Sequence, residues 1–84
     1  MTWHVAIAAA AEAELASLDP QIRTRITKRL DLLAGDPLRA ANVKALGGGL
    51  FRLRVGDWRI IYTLTAAELL ILVIRVAHRR EAYR

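Results

Sequence analysis

Residues 50–77 read LFRLRV, GD, WRIIYTLT, AAE and LLILVIRVA in succession, and this stretch decides the fold. The three longer segments are rich in β-branched and aromatic residues, which favour strands. The two connections between them have two and three residues, short enough to join antiparallel neighbours. The sequence therefore predicts a meander of Leu50–Val55, Trp58–Thr65 and Leu69–Ala77, whose last strand is apolar on both sides and lies inside the sheet.

The residues before this meander predict one more strand and two helices. Thr2–Ile7 alternates apolar with polar residues, as a short half-buried strand does. Ala8–Leu18 consists almost wholly of residues compatible with a helix. Asp19 is suited to cap a second helix, Pro20 to occupy its first position, and Gly35 to end it.

The second helix is amphipathic and supplies the face that packs on the sheet. Its apolar side carries Ile22, Ile26, Leu30 and Leu33. Residues 38–49, which include three consecutive glycines, are predicted to form an irregular connection. The predicted fold class is α+β: a helix hairpin packed on a small, mostly antiparallel four-stranded sheet in the order β-α-α-β-β-β, forming one domain over residues 1–84.

Composition excludes several classes of protein. The chain has no cysteine, so a disulfide framework and a thiolate metal site are both excluded. Its two histidines and scattered acids lack the spacing of metal ligands. No secretion leader is expected, because the first residues lack its basic and apolar pattern. The longest apolar run is interrupted by Arg75 and is too short to span a bilayer. We expect a cytoplasmic protein with no cofactor, no metal and no membrane partner.

The net positive charge lies in the C-terminal half of the chain. Residues 1–43 contain five basic and five acidic side chains, whereas residues 44–84 contain eight basic and three acidic ones, which leaves the whole excess of +5 there. Arginine supplies nearly all of it, and the planar guanidinium binds phosphate with two parallel hydrogen bonds. The excess points to a nucleic-acid partner, although an ordinary solvated basic face would have the same composition.

The arginines of the meander are predicted to share one face. Alternation along a strand places Arg52 and Arg54 on the same side, and Arg75 and Arg79 share parity at the other end of the sheet. Arg59, on the strand between, joins them if the strand registers agree. The alternative is that this face is simply hydrated, or that its arginines pair with the nearby acids Asp57, Glu68 and Glu81.

Three segments of the chain resemble the RelE/ParE toxin superfamily, small bacterial toxins encoded beside an antitoxin. The first is Lys44-Ala45-Leu46 before a glycine-rich turn. The second is FRLRVGDWRIIY over residues 51–62, and the third is AHRREAY over residues 77–83. The order of elements also agrees, so the resemblance covers essentially the whole chain.

The resemblance implies one of two activities. RelE-type members enter the ribosome and cleave messenger RNA, whereas ParE-type members poison DNA gyrase and lack the nuclease site. The catalytic positions of the RelE type are matched by Arg52, Arg54, Arg59, Arg79 and Tyr83. The chain departs from the pattern on the first meander strand, where Leu50 and Arg52 stand in place of lysines, and His78 stands beside the matched arginine.

We therefore predict a ribosome-dependent, metal-independent endoribonuclease toxin in which the RNA 2′-hydroxyl attacks the scissile phosphate. The predicted catalytic residues are Arg59, Arg79, Tyr83 and His78. The predicted phosphate-binding residues are Lys44, Arg52, Arg54 and Arg80. For His78 the alternative is an ordinary surface residue after a strand, and for Tyr83 it is packing of the C-terminus.

The predicted partners are a cognate antitoxin, the ribosome and messenger RNA. Operator DNA is expected only through the toxin–antitoxin complex. Two other functions compete with the nuclease: a gyrase inhibitor of the ParE type, and a plain nucleic-acid-binding module, which explains the charge but not the ordered positions of the arginines.

Overall fold

The computed structural model of the chain describes residues 2–81 and contains two helices and one five-stranded sheet. The strand order is β1-β5-β4-β3-β2, with β1 parallel to β5 and every other pair antiparallel. This confirms the α+β class, the mostly antiparallel sheet and the internal position of the last strand. In chain order the elements are β1 (His4–Ile7), α1 (Ala9–Ala16), α2 (Pro20–Gly35), β2 (Val43–Gly47), β3 (Leu50–Val55), β4 (Trp58–Thr65), a 3₁₀ turn (Ala66–Glu68) and β5 (Leu70–His78).

The predicted count of four strands is one too low, because part of the supposed irregular connection is the edge strand β2. Val43 lies opposite Leu53 and Lys44 opposite Arg52 in an antiparallel ladder with β3. The return from β2 to β3 uses Gly47 to Gly49, all with positive φ, a backbone conformation that residues with a Cβ rarely adopt. Pairing with β3, rather than any pattern within β2, makes this segment a strand.

The two helices begin and pack as their sequences predict. The Asp19 side chain accepts a hydrogen bond from the backbone N–H of Gln21 at 3.0 Å, and Pro20 is the first residue of α2. On α2 the apolar stripe is buried through Ile26, Leu30 and Leu33. Neither described helix is long and apolar enough to cross a membrane.

The helices cover one side of the sheet, here called the helix-side face. Its buried strand residues are Leu53, Val55, Ile60, Tyr62, Ile71, Val73 and Val76, and Trp3 and Trp58 pack against them. Tyr62 is fully buried with its ring stacked on Phe51 at a centroid distance of 5.7 Å. Burial raises the pKa of Tyr62 to about 12, and no described residue bonds to its hydroxyl.

A contact between α1 and β5 lies where β5 has no partner strand on its β1 side. β1 pairs only with residues 70–73 of β5. Beyond that point the carboxylate of Glu14 accepts a hydrogen bond from the backbone N–H of Val76 at 2.9 Å. Its other oxygen lies 3.7 Å from Nε of Arg75. A side chain of the first helix thus takes the place of a neighbouring strand.

Candidate functional site

The strand registers bring the predicted basic residues together on the side of the sheet away from the helices. Across one row, Lys44 lies opposite Arg52, Arg52 opposite Ile61, and Ile61 opposite Arg75. In the next row, Arg54 lies opposite Arg59, which is opposite Ala77. Residues directly opposite one another project to the same side of a sheet. We call this surface the cation face; its charged members are Lys44, Arg52, Arg54, Arg59 and Arg75.

Four of these cations lie close together without an acid to neutralise them. Lys44 faces Arg52, and Arg54 faces Arg59, in cross-strand pairs of like charge, which destabilise a sheet. Within residues 2–81 the ion pairs are Arg75 with Glu14 and Arg79 with Asp57, so none of the four has a carboxylate within 4.0 Å. A polyanion that binds to such a surface offsets the repulsion between these charges and so stabilises the sheet.

Arg52 is partly enclosed by its neighbours. It is half-buried, and its Nε is shielded from solvent with no hydrogen-bond partner in the described part of the chain. Ile61 and Ala77 are also buried on this face, at 6% and 3% exposure, without belonging to the helix-side core. Long aliphatic stems that lie across a sheet produce this pattern, since they cover apolar neighbours while the guanidinium reaches solvent.

The turn between β3 and β4 makes contacts with both Arg59 and Arg79. Nη1 of Arg59 donates to the carbonyl oxygens of Gly56 at 3.0 Å and Trp58 at 3.2 Å. The backbone N–H of Arg79 donates to the carbonyl of Asp57 at 2.7 Å, and Nη1 of Arg79 lies 3.6 Å from the Asp57 carboxylate. Gly56 has φ +60°, which favours glycine at this corner. One tight turn therefore contacts two of the predicted catalytic residues.

His78 is not on the cation face. It lies opposite Trp58, whose side chain packs on the helix-side core, and the two rings meet edge to face at a centroid distance of 5.5 Å. Nδ1 of His78 accepts from the backbone N–H of Arg80 at 3.4 Å. Arg80 itself is exposed just beyond β5. Tyr83, the remaining predicted site residue, lies outside the described residues.

The structure adds Glu14, at the edge of the cation face, to the residues that the sequence indicated. Strand parity already pointed to Arg75, but its partner Glu14 is 61 positions away and carries no signal in the sequence. No group of three or more His, Asp or Glu side chains in residues 2–81 is arranged to hold a metal ion. The chemistry available on this face is the binding of negative charge by fixed hydrogen-bond donors.

A helix hairpin packed on a five-stranded sheet is the fold of solved RelE toxin structures. The chain is similar to the toxin in the RelE–RelB complex from Pyrococcus horikoshii, with 28% identity, a TM-score of 0.85, and 98% of this chain and 100% of that chain covered. It is also similar to a chain of the toxin–antitoxin complex RelBE2 from Mycobacterium tuberculosis, with 26% identity and a TM-score of 0.83. That match covers 94% of this chain and 100% of the other. The intact RelBE complex of E. coli, at 20% identity, a TM-score of 0.80, and coverage of 90% and 95%, shares the fold.

A sequence profile assigns the family. The profile of the ParE toxin of type II toxin–antitoxin system, parDE, matches residues 5–83. The chain belongs to this family, within the RelE/ParE superfamily, and is a toxin of a type II toxin–antitoxin system. No curated protein matches it in sequence.

Proposed function

We propose that this toxin is a ribosome-dependent endoribonuclease that cleaves messenger RNA and so stops translation. The observation that carries the proposal is the cation face, where two cross-strand pairs of like charge have no carboxylate partner in the described chain. Such pairs lower the stability of the free sheet. A phosphate backbone laid across them would supply the missing negative charge.

The reaction needs only chemistry that arginine and the RNA can supply. The 2′-oxygen of a ribose forms a bond to the adjacent phosphorus, and the bond from phosphorus to the 5′-oxygen breaks, which leaves a 2′,3′-cyclic phosphate and a free 5′-hydroxyl. The 2′-hydroxyl gives up a proton and the leaving oxygen gains one. Negative charge builds up on the phosphorane, where the fixed donors of Arg59 and Arg79 would stabilise it. Arg52, Arg54 and Lys44 would hold the flanking backbone.

The two proton transfers are assigned to groups other than the arginines, whose pKa is too high for an effective base at neutral pH. Tyr83 is the residue of this chain that we assign to stacking on a base and assisting proton transfer. His78 receives no step, because it packs against Trp58 on the helix-side face. With so few acid–base groups, the chain would depend on the ribosome to align the RNA for attack, which is an effect of orientation.

A cognate antitoxin would hold the toxin inactive. The similar structures from Pyrococcus horikoshii and Mycobacterium tuberculosis are complexes of toxin with antitoxin. An acidic segment of the partner would neutralise the cation face in place of RNA. Operator DNA would be bound by the complex rather than by this chain alone.

The second candidate function is inhibition of DNA gyrase. It is favoured by the matching family profile, which describes the ParE toxin of parDE systems. It is also favoured by Leu50 and Arg52, which occupy positions where the best-known nucleases of the superfamily carry lysines. On this reading the cation face would bind an acidic protein surface instead of RNA.

Induced expression of the wild-type chain and of Arg79→Ala separates the two functions. We expect new messenger RNA 5′ ends with the wild type and a loss of roughly 10²- to 10³-fold in cleavage rate with the variant, because one phosphorane donor is gone. Arg39→Ala, an exposed arginine in the α2–β2 connection, is the matched control and should cleave normally. Intact messages together with gyrase-linked DNA breaks or lost supercoiling activity would establish the second function instead.

A further inference from the structure

Arg75 reaches the cation face because β5 contains a bulge. The ladder with β4 passes from Arg75 to Val73 over two consecutive residues of β4, which leaves Ile74 as an extra residue without a partner. Val73 and Val76 both belong to the helix-side core although they are three positions apart. Strict alternation from Val73 would have turned Arg75 toward the helices. The bulge shifts the alternation by one residue and turns Arg75 to the opposite side.

The bulge places Arg75 at one end of a row of cations. The row consists of Lys44 on β2, Arg52 on β3 and Arg75 on β5, with Ile61 of β4 between the two arginines. Three strand spacings, about 14 Å, separate its ends. The neighbouring row carries Arg59 and lies two residues further along the strands, about 7 Å away. An RNA strand that crosses the sheet at Arg59 would therefore have phosphate groups within reach of Arg75.

The sheet alone does not hold the Arg75 side chain on the face. β1 pairs only with residues 70–73 of β5, so Arg75 has a neighbouring strand on the β4 side alone. Its side chain is 39% exposed, and a long exposed side chain loses rotamer freedom when it is fixed in one place. An exposed ion pair usually has to order two such side chains, which cancels most of its benefit.

Glu14 supplies a carboxylate that is ordered independently of Arg75. Its Oε1 accepts the hydrogen bond from the backbone N–H of Val76 at 2.9 Å, and its own backbone belongs to α1. Its Oε2 lies 3.7 Å from Nε of Arg75. The arginine therefore meets an acid that is already in place. Contact through Nε involves one of the five guanidinium donors, so other donors remain for a phosphate.

We propose that Arg75 is a further phosphate-binding residue of the toxin and that Glu14 is its positioning residue; this inference rests on the proposed function, in which RNA lies on the cation face. The charge of Glu14 is in itself unfavourable for RNA, because it places a negative group beside a basic surface. Its benefit comes from keeping the Arg75 guanidinium on that surface. The two effects of Glu14 on RNA affinity therefore have opposite signs.

Glu14→Gln distinguishes the two effects. The variant loses the charge but keeps an oxygen that can accept from Val76. Loss of the charge alone would tighten RNA binding, whereas we expect binding about threefold weaker than the wild type, because Arg75 is no longer held. The matched control is Glu12→Gln, an exposed glutamate of the same helix without an ion pair in residues 2–81. It should bind as tightly as the wild type or slightly more tightly.

Fluorescence anisotropy with a short 2′-O-methylated single-stranded RNA measures these affinities, since that RNA has no free 2′-hydroxyl to attack the phosphate. Arg75→Gln should bind about tenfold more weakly and with a shallower dependence on salt, because one phosphate contact is lost. Adding Glu14→Gln to Arg75→Gln should weaken binding no further, because the positioning residue acts through the arginine. Urea denaturation should give all four variants a midpoint close to that of the wild type, which excludes misfolding as the cause of weak binding.

Three results would overturn the assignment. Binding by Glu14→Gln that equals binding by Glu12→Gln would reduce Glu14 to an ordinary surface charge. Wild-type affinity in Arg75→Gln would remove Arg75 from the phosphate site, even where messenger RNA is cleaved. Failure of the wild type to bind the RNA at low salt would remove the RNA site itself.

The outcome for the nuclease is read separately. Induced expression of the wild type that leaves messenger RNA intact would contradict the proposed cleavage. The expected differences in RNA affinity among the variants would still support the roles of Arg75 and Glu14 in binding phosphate.

Discussion

The helix-side face and the cation face alternate along the same strands, and β3 displays the contrast residue by residue. Leu53 is 1% exposed beneath α2, while Arg52 and Arg54 on either side of it project away from the helices. The helix-side face gains stability from every side chain that it buries. The cation face does the opposite, since it sets like charges against one another without acids between them. The helix-side face therefore stabilises the fold, whereas the cation face lowers the stability of the free protein and favours binding of an anionic ligand.

Leu53→Ala, on the helix-side face, should have the largest effect on the free energy of unfolding. The substitution leaves a cavity under α2, so the free energy of unfolding should fall by about 2–5 kcal/mol in urea denaturation. Arg54→Ala, the next residue on the other face, is the matched control and should change it by less than about 0.5 kcal/mol. A smaller loss for Leu53→Ala than for Arg54→Ala would reverse the assignment of the two faces.

Tyr62 gives the helix-side face a dependence on alkaline pH. Its pKa is about 12 in the folded chain and near 10 when unfolded. Below pH 10 both states hold the proton; between pH 10 and 12 the unfolded state loses it first, so stability falls with rising pH. The loss should reach roughly 2–3 kcal/mol.

Comparison with Tyr62→Phe isolates this effect from other groups that titrate in the same range. At pH 7 the variant should be as stable as the wild type or slightly more stable, because the buried hydroxyl has no bonding partner among the described residues. Thermal unfolding measured from pH 9 to 12 should show the wild type losing stability relative to the variant. Parallel curves would mean that the Tyr62 hydroxyl titrates normally.

The fold was largely predictable because burial of one side of a helix or strand places apolar residues at regular intervals in the sequence. The apolar positions of α2, the cap at Asp19 and Pro20, and the meander all follow local rules that the structure obeys. The β2 strand was missed because it is five residues long, lies at the sheet edge and contains alanine and glycine. Its hydrogen bonds come from β3, and a pattern inside one segment does not reveal its partner.

The candidate site was predictable only in part. Alternation correctly placed Arg52, Arg54 and Arg59 on one surface, once the registers are known. The contact of Glu14 with Arg75 and Val76 joins residues about 60 positions apart, and only the packing of α1 on β5 brings them together. Local patterns give the side to which a residue points, whereas tertiary packing decides which neighbour it meets.

Arg54→Gln tests whether repulsion between like charges lowers the stability of the cation face. Removing one charge of the pair with Arg59 should raise the free energy of unfolding by a few tenths of a kcal/mol at low salt, and the gain should vanish at 1 M salt. The same variant should bind RNA more weakly, with a shallower dependence of affinity on salt. A gain in stability that persists in high salt would show that charge repulsion is not its cause.

His78→Gln is expected to have the smallest effect. Because the ring packs against Trp58 on the helix-side face, the variant should cleave messenger RNA within about threefold of the wild-type rate. Primer extension on an induced transcript measures this directly. A loss of ~10²-fold or more would assign the histidine to proton transfer.

The hydrogen bond from the backbone of Val76 to the Glu14 carboxylate also bears on pairing of the sheet edge with other molecules. Where β5 runs past β1, an uncovered N–H group would invite a strand from another molecule to join the sheet. Glu14 occupies that donor and places a charge beside it. The side chain that borders the cation face therefore occupies a backbone donor that an added strand would use at Val76.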